Sequence, residues 1–599
     1  MALLSLDLAA LRAAYAAGTL TPTALMGEID RRLDAHGDPA VWIHRLPLDA
    51  LLARAREVEA RGRASQPLFG VPFAIKDNID LAGVPTTAAC PAFASTPTES
   101  APVVQRLLDA GAIPVGKVNL DQFATGLVGV RSPYGVPRNP FRADIIPGGS
   151  SSGSAVAVAA GLVSFALGTD TAGSGRIPAG LNNLVGLKPT KGANSTRGVV
   201  PACRSLDCVS VFALTCADAG AVQRVIEGFD PADAYSRRRA PTPPWPTRPR
   251  VGVPAANELH FDGDAESAQL FAAALARLST LGAQTVEIDF APFREAAALL
   301  YQGPWVAERW AALRDFHARQ PDAFFPVTGQ IVQAAEKLGA ADAFAGFHRL
   351  AELARRTAAE WEKMDVLLVP TAPRPYTLAE VATDPTGPNS RLGTYTNFVN
   401  LLDLSALAVP AGRRDDGVPW GVTFIAPAWR EPDLLVLGAK WQTDVGGHLG
   451  ATGIPLPTPR AADFAAPRTG GTVRLAVVGA HLSGLPLNHQ LTDLGARLVW
   501  TGTTAPRYRL FALPNTVPPK PGLVRVDAEG AAIALEVWEL TTAAFGSFVA
   551  AVPPPLCIGT VMLASGEAVK GFLCEPAALT GAEDITRHGG WRAYLRGAT

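Results

Sequence analysis

Charge of either sign is scarce in this sequence of 599 residues. Lysine and arginine total 53 and aspartate and glutamate total 54, so the formal net charge at pH 7 is −1. No long run of basic residues occurs, which excludes the surface that a nucleic-acid-binding protein or a protein on an anionic membrane needs. With 18% charged and 48% hydrophobic residues the chain is too apolar to be disordered, and we expect more than one packed domain.

Cysteine and long hydrophobic runs are also rare. The six cysteines include no Cys-x-x-Cys pair, which is typical of reduced thiols in a cytoplasmic protein and offers no metal site. The most apolar stretch is interrupted by Gly161, Ser164 and Gly168, and is shorter than the ~20 apolar residues of a membrane span. Residues 1–20 have no basic region before their apolar pattern, so they predict an amphipathic helix rather than a signal peptide. We therefore expect a cytoplasmic protein without a metal ion.

Two proline-rich segments interrupt the regular patterns. Up to about residue 245 helical patterns alternate with short β-like runs in an α/β rhythm, which resumes after the prolines of residues 241–250. Proline and glycine cluster again where we place a linker, at residues 456–471. Residues 1–455 are then expected to form an α/β domain. Residues 472–599, with β-like runs about every ten residues, predict a smaller α+β domain.

Serine is concentrated in two loops. The segment PGGSSSGS at residues 147–154 contains four serines and leads directly into an apolar run. Flexible linkers have such compositions, but they rarely lead straight into a buried helix. A second glycine- and serine-rich loop, GTDTAGSGRIPAG at residues 168–180, follows the next apolar strand. Two such loops around one helix and one strand can meet at one point, which indicates a nucleophilic serine.

A serine hydroxyl attacks carbon only when a base removes its proton and hydrogen-bond donors stabilise the oxyanion. Histidine is the usual base, but none occurs between His44 and His260. Lys76 instead follows the apolar residues VPFAI, and burial favours the neutral form of its amine, which can accept a proton. A histidine from a distant part of the chain is the alternative that spacing leaves open.

These segments, with VLLVPTAPRP and LLDLSALAVPAG further along, resemble the amidase signature family over roughly residues 1–450. The family's fold is a mixed twisted sheet flanked by helices, and its chemistry uses no cofactor. The resemblance implies a Ser-cisSer-Lys triad in which Ser174 is the nucleophile, Ser150 the bridging serine after a cis peptide bond, and Lys76 the base. It also implies an oxyanion hole, formed by the backbone N–H groups of Thr171, Ala172, Gly173 and Ser174.

One departure from the family pattern is visible, and three serines of the first loop have no part in the triad. Where the family commonly has Gly-Gly-Ser-Ile, this sequence has Ala-Gly-Ser-Gly at residues 172–175. If the first of these positions needs a positive φ, alanine there narrows the oxyanion hole. Ser151, Ser152 and Ser154 are expected to cap the following helix or to pack against it.

The second domain narrows the choice of substrate. Segments such as RLAVVGAHLSGLPLNHQLTDLGARLV and IALEVWEL resemble the C-terminal domain of allophanate hydrolases, a domain similar to the gamma-glutamyl cyclotransferase-like fold. The resemblance implies that the first domain releases ammonia from allophanate and that the second promotes decarboxylation of the product, N-carboxycarbamate. His489, with His481 behind it, is the candidate proton donor or anion contact for the second step. A hydrogen-bonded structural histidine is the alternative.

Three further residues are candidates for binding the substrate. Tyr301 and Arg309 in YQGPWVAERW resemble the residues that bind the carboxylate of allophanate, since a guanidinium can make two parallel hydrogen bonds to a carboxylate. A surface arginine on an amphipathic helix is the alternative. Gly126 in LDQFATGLVGV matches a loop that lines amidase pockets with its backbone.

The resemblance also implies partners and competing functions. We expect a small-molecule substrate, a homodimer and functional coupling to urea carboxylase, with no nucleic acid and no membrane as a partner. Two alternatives are an amidase for another small amide and the A subunit of a glutamine-dependent amidotransferase. A non-catalytic protein with the same fold is a third. Fold alone does not decide among these substrates.

Overall fold

The chain divides into two compact units, Met1–Ala465 and Ala466–Thr599. A computed structural model describes residues 4–458 and 472–597. Most of the linker predicted at residues 456–471 lies outside the described residues. The two units are described separately.

The first unit alternates helices and strands, as the α/β rhythm predicts. Its strands are β1 (Trp42–Arg45), β2 (Pro72–Lys76), β3 (Ile113–Val118), β4 (Phe165–Asp170), β5 (Val185–Lys188), β6 (Cys208–Ala213), β7 (Arg250–Pro254), β8 (Gln284–Ile288), β9 (Val366–Pro370), β10 (Leu404–Arg413) and β11 (Pro419–Pro427). Its α-helices are α1 (Leu8–Ala16), α2 (Pro22–His36), α3 (Leu48–Arg61), α4 (Pro102–Asp109), α5 (Ser152–Ala159), α6 (Ile177–Leu181), α7 (Cys216–Ile226), α8 (Ala265–Thr280), α9 (Ala291–Gln302), α10 (Trp305–Arg319), α11 (Pro326–Gln333), α12 (Ala340–Trp361), α13 (Leu378–Thr383), α14 (Gly387–Leu392), α15 (Phe398–Leu401) and α16 (Glu431–Val445).

The described strands of the first unit form one eleven-stranded mixed sheet, in the order β1-β3-β2-β4-β6-β5-β10-β11-β9-β7-β8. Strand β2 is parallel to both β3 and β4, and β7 is parallel to both β8 and β9. The other pairings are antiparallel. Because β2 and β4 are parallel neighbours, the side chains at their carboxyl ends lie close together.

The apolar run after the serine loop forms a buried helix and strand, as predicted. Every residue of α5 and of β4 is buried. Such continuous apolar sequence is typical of elements covered on both sides. Helix α5 packs so closely that a Cβ on Gly153 would lie 2.5 Å from the backbone nitrogen of Asn119. The helix that follows the first serine loop is therefore fixed against the sheet.

The N-terminal apolar pattern is an amphipathic helix, as the sequence predicts. Asp7 caps α1 by accepting a hydrogen bond from the backbone nitrogen of Ala10 (2.9 Å). Leu8 and Leu11 are the buried residues of this helix. Among the described residues, none of the helices combines the length and the apolar character needed to cross a membrane.

The second unit is rich in strands, and the β-like runs predicted in its sequence are strands. They are β12 (Thr472–Val477), β13 (Arg497–Thr503), β14 (Tyr508–Ala512), β15 (Pro521–Arg525), β16 (Ala534–Thr541), β17 (Leu556–Met562) and β18 (Ala568–Cys574). A short further strand, β19 (Glu583–Asp584), follows them. They form a five-stranded sheet, β13-β16-β12-β18-β17, and a three-stranded sheet, β15-β14-β19. The described α-helices of this unit are α17 (His489–Thr492), α18 (Thr542–Ala550) and α19 (Trp591–Gly597).

Candidate active site

Lys76 lies at the carboxyl end of β2 and reaches across to the serine loop and to β4. Its amine Nζ lies 2.8 Å from the Ser150 hydroxyl and 2.7 Å from the Thr169 hydroxyl. Lys76 and Ser150 are both fully buried, and Thr169 is 2% exposed. The predicted pairing of lysine and serine therefore exists, and the parallel register of β2 and β4 brings Thr169 to the same amine.

Burial sets the protonation state of this lysine. Desolvation lowers the pKa of Lys76 to about 7, although the carboxylates of Asp121, Asp207 and Asp170 act in the opposite direction. Both hydrogen-bond partners of the amine are neutral hydroxyls. A lysine with this pKa is neutral in a large fraction of molecules at neutral pH, as a general base requires.

The serines of the first loop have different partners. The Gly149–Ser150 peptide bond is cis, as the resemblance implies. Ser151 and Ser154 donate hydrogen bonds to the carbonyl oxygens of Thr169 (3.2 Å) and Leu167 (3.0 Å) on β4. Ser151 is the N-cap residue of α5 but makes no side-chain cap bond, so these serines fasten the helix to the strand rather than cap it.

Ser174 lies in the turn after β4, and we call residues 171–174 the oxyanion turn. Its hydroxyl donates a hydrogen bond to the carbonyl oxygen of Gly126 (3.5 Å). Among the described residues, none of the four backbone N–H groups of this turn donates a hydrogen bond to another protein atom. Consecutive free N–H groups in a glycine-containing turn can bind an oxyanion. The geometry therefore fits the predicted oxyanion hole.

A buried ion pair fixes the oxyanion turn at both ends. The guanidinium of Arg176 donates two hydrogen bonds of 2.9 Å to the carboxylate of Asp170. Asp170 also accepts a bond from the backbone nitrogen of Gly175 (3.0 Å). Burial alone would raise the pKa of Asp170, but Arg176 lowers it below its ordinary value, so the carboxylate stays charged. The turn is thus closed between the end of β4 and the start of α6.

The departure from the family pattern is accommodated without strain at Ala172. The positive φ of this turn belongs to Gly173, at +140°, whereas Ala172 is not among the residues with positive φ. The concern that Ala172 narrows the hole through an unfavourable φ therefore does not apply. Gly175, where the family commonly has isoleucine, packs against Ser210, and a Cβ there would lie 2.6 Å from the Ser210 Cβ.

Asp121 contacts the loop of Ser150 directly and Ser174 only through Gly126; among the described residues the Ser174 hydroxyl bonds Gly126 and not Ser150. A Cβ on Gly149 would lie 2.1 Å, and one on Gly126 2.6 Å, from the same carboxylate oxygen of Asp121. The backbone nitrogen of Asp121 donates to the carbonyl oxygen of Ser150 (3.0 Å). Gly126 presents its carbonyl oxygen to Ser174, and its contact with a substrate stays a prediction.

Arg309 is buried inside the first unit and is not the surface arginine of the alternative interpretation. It is 2% exposed, and one of its Nη atoms donates to the Thr125 hydroxyl (2.9 Å). Its guanidinium carbon lies 5.6 Å from the centre of the Tyr301 ring. The other Nη of Arg309 and the hydroxyl of Tyr301 are buried without a hydrogen-bond partner among the described residues. Both atoms are therefore available to form hydrogen bonds to a ligand.

A cavity of about 300 Å³ lies beside this pair. Its lining includes Tyr301 and Arg131, together with residues from α10, α11 and α14. Burial alone would lower the pKa of Arg309, but Cys203, Tyr301 and nearby carboxylates raise it above its ordinary value. Tyr301 lines this cavity, whereas Arg309 and the three triad residues are not among its lining residues, so the cavity adjoins only the Tyr301 side of the pair.

His489 lies in the second unit, on the exposed side of the short helix α17. Its Nδ1 forms a hydrogen bond of 2.9 Å with the carbonyl oxygen of Pro486. His481 is more buried, stacks on Phe572 with ring centres 5.1 Å apart, and bonds Gln490 through Nε2 (2.9 Å). Burial lowers the pKa of His481. A catalytic part for either histidine stays a prediction.

Two residues of the site were not predicted from the sequence. Thr169 belongs to the quoted loop GTDTAGSG, but its contact with Lys76 depends on the strand order. Asp207 belongs to the segment SLDCVS at residues 205–210, and its carboxylate accepts a hydrogen bond from the Thr171 hydroxyl. Burial raises the pKa of Asp207 to about 6. A polar residue at the end of a buried strand was the signal available in both cases.

No group of histidine, cysteine or acidic residues that could hold a metal ion occurs in the described part of the chain.

Two family descriptions match this sequence. Residues 31–435 match the amidase family, and residues 473–596 match the allophanate hydrolase C-terminal domain. The chain is also similar to urea amidolyase of Saccharomyces cerevisiae, with 46% identity over 570 residues. That alignment covers 92% of this chain but 31% of the yeast protein, so the chain spans about a third of the length of that relative.

A solved structure extends the similarity to 97% of the chain. Selenomethionine-substituted Kluyveromyces lactis allophanate hydrolase is 43% identical, with a TM-score of 0.77, covering 97% of this chain and 98% of that one. The A subunit of glutamyl-tRNA(Gln) amidotransferase from Acidobacterium capsulatum is 34% identical, in an alignment that covers 70% of this chain and 95% of that protein.

Proposed function

Because the chain belongs to the amidase family, we propose that it hydrolyses allophanate, a urea with one nitrogen carboxylated. The amidase signature fold expected from the sequence is confirmed by the family match and by the similar allophanate hydrolase structure. The observation that carries the choice of substrate is the pair of Arg309 and Tyr301, each with a buried polar atom that has no hydrogen-bond partner among the described residues. An uncharged amide would leave that guanidinium unpaired, whereas the carboxylate of allophanate would pair with it.

In the first step, Ser174 attacks the amide carbon of allophanate and Ser150 takes its proton. The neutral amine of Lys76, 2.8 Å from the Ser150 hydroxyl, draws the proton onward. The free N–H groups of the oxyanion turn stabilise the negative oxygen of the tetrahedral intermediate. Return of a proton through Ser150 lets the amide nitrogen leave as ammonia, and water then releases N-carboxycarbamate from Ser174.

We assign the second step to the C-terminal unit and propose His489 as its proton donor or anion contact. N-carboxycarbamate loses carbon dioxide when its nitrogen gains a proton, and a histidine side chain can act as the proton donor. The whole reaction converts allophanic acid and one water into two ammonia and two carbon dioxide. The position of His489 on an exposed helix end supports access to a small anion. A gamma-glutamyl cyclotransferase-like fold for this unit is part of the same proposal.

The test of this function measures ammonia and carbon dioxide released from allophanate by the full chain. We expect two of each per substrate, none above background with Ser174→Ala, and a slower appearance of the second ammonia with His489→Ala. Asn488→Ala, which changes the neighbouring residue but leaves the imidazole, is the control for the second step. Release of ammonia only from an uncharged amide would contradict the proposal.

The alternative of an amidotransferase A subunit is not favoured. Such subunits align with about 70% of this chain, whereas residues 473–596 match the allophanate hydrolase domain. We propose further that the enzyme is a cytoplasmic homodimer and that it is functionally coupled to urea carboxylase. The similarity to proteins named urea amidolyase supports the coupling.

A further inference from the structure

Asp207 lies between the oxyanion turn and the helix that carries Arg309, and the reaction proposed above gives it no part. One of its carboxylate oxygens accepts hydrogen bonds from the hydroxyl of Thr171 and from the backbone nitrogen of Cys203 (3.2 Å). The other oxygen accepts a hydrogen bond from the backbone nitrogen of Ala202 (2.9 Å). With 7% of its surface exposed, Asp207 is held by protein donors on both oxygens.

The loop of residues 202–207, which we call the bridging loop, is bonded to α10 on its other side. Glu308 accepts hydrogen bonds from the backbone nitrogen and the hydroxyl of Ser205, both of 2.7 Å. The thiol of Cys203 donates to the carbonyl oxygen of Trp305 (3.4 Å). Glu308 immediately precedes Arg309, so the bridging loop is fastened to the helical turn that carries the guanidinium.

We infer that Asp207 is a positioning residue that sets the distance between the oxyanion turn and Arg309. The inference rests on the proposed function, in which allophanate is bound by its carboxylate at Arg309 and attacked at its amide carbon beside the turn. Such a small planar substrate cannot adjust its length, so the two ends of the site must be fixed relative to each other. A small displacement of one end costs a large factor in rate because reacting atoms must be closely aligned.

The first test removes the bond between Asp207 and Thr171 from either side. Asp207→Asn replaces one accepting oxygen by an NH₂ group, which cannot accept a hydrogen bond from the groups that now donate to Asp207. Thr171→Val replaces the donating hydroxyl by a methyl group of similar size. We expect each variant to lower kcat for allophanate by about tenfold or more, with KM changed less than about twofold. Thr171→Ser, which keeps the hydroxyl, is expected to retain at least about half of the wild-type kcat.

Two double variants separate positioning from a general structural effect. Because Asp207→Asn and Thr171→Val break the same bond, their combination should lower kcat no further than the more severe single variant. The second double variant combines Asp207→Asn with Arg309→Met. Because both residues act on one substrate, its loss in kcat/KM should be about fivefold smaller than the product of the two single losses. Multiplicative losses in both pairs would overturn the inference.

Asp218→Asn is the matched control. Asp218 is also a buried aspartate that accepts a backbone bond, from Leu8 (3.1 Å), but it belongs to α7, outside the site. Its variant is expected to keep wild-type kinetics. Kinetics of Asp207→Asn and Thr171→Val within twofold of the wild type, in folded protein, would overturn the inference.

If Asp207→Asn does not fold, the comparison of Thr171→Val with Thr171→Ser tests the same bond. Equal kcat for these two variants would then overturn the inference. A failure of the proposed function appears earlier, as a wild-type protein that does not hydrolyse allophanate. In that case Thr171→Val and Thr171→Ser are compared on an amide that the wild type does hydrolyse, because the oxyanion turn would stabilise the tetrahedral intermediate of any amide.

Discussion

The amine of Lys76 and the hydroxyl of Ser150 lie 2.8 Å apart, although 74 positions separate them in the chain. One lies at the end of β2 and the other before α5, and both are fully buried. A buried amine bonded only to hydroxyls loses its positive charge more easily than one beside a carboxylate. This pair links the fold to the proposed chemistry.

The rate of amide hydrolysis should depend on pH through Lys76. The base must be neutral, and its pKa is lowered to about 7. We therefore expect kcat/KM to rise with pH, with a midpoint near pH 7, and to fall about tenfold per pH unit well below it. Initial rates with a stable amide substrate between pH 5.5 and 9 provide the measurement. A flat profile below pH 8 would exclude a titrating base with this pKa.

Replacing Lys76 by methionine should remove activity without weakening the fold. We expect kcat/KM to fall by about 100-fold or more, because a general base contributes that much. The melting temperature should not fall, since methionine fills a similar volume and needs no desolvation of a charge. Calorimetry and ammonia release measure the two effects, with the exposed Lys337→Met as control. A variant that unfolds would instead indicate a structural lysine.

Two serines of the segment PGGSSSGS should respond differently to alanine. Ser150→Ala should lower kcat by about 100-fold or more, because it interrupts the proton path from Ser174 to Lys76. Ser154→Ala removes a bond to the carbonyl of Leu167 (3.0 Å) and should cost about 1 kcal/mol of stability with little change in kcat. Urea denaturation and steady-state kinetics measure both variants. Equal kinetics of the two variants would contradict the part assigned to Ser150.

Arg309→Met should separate carboxylated from uncharged substrates. Loss of a charged hydrogen bond of about 2 kcal/mol corresponds to an increase of about 30-fold in KM for allophanate. KM for malonamide, which has no carboxylate, should change little. Tyr301→Phe removes one neutral hydrogen bond and should raise KM for allophanate by about fivefold. A similar change for both substrates would remove these residues from carboxylate recognition.

Arg176→Met should destabilise the first unit strongly. It would leave the carboxylate of Asp170 buried without its partner, and such losses cost about 3–5 kcal/mol. Arg142→Met, which breaks the exposed pair with Asp144, is the control and should have a much smaller effect. Thermal unfolding followed by circular dichroism compares the two. Equal effects would mean that the buried pair contributes little to the stability of the oxyanion turn.

The sequence alone determined the types of residue in the site and most of the regular structure. Apolar runs predicted β2, β4 and α5 because buried elements need continuous apolar sequence. The serine-rich loops and the lysine after VPFAI indicated a nucleophile and a base before any contact was known. The short β-like runs after residue 472 all formed strands.

Only the tertiary structure decided which distant side chains meet. Thr169 reaches Lys76 because β4 is the parallel neighbour of β2, and strand order depends on packing of the whole sheet. Asp207 contacts Thr171 across an antiparallel pair of strands, and no local pattern specifies that partner. The pKa of Lys76 and the free atoms of Arg309 also depend on burial, which arises from residues far apart in the chain.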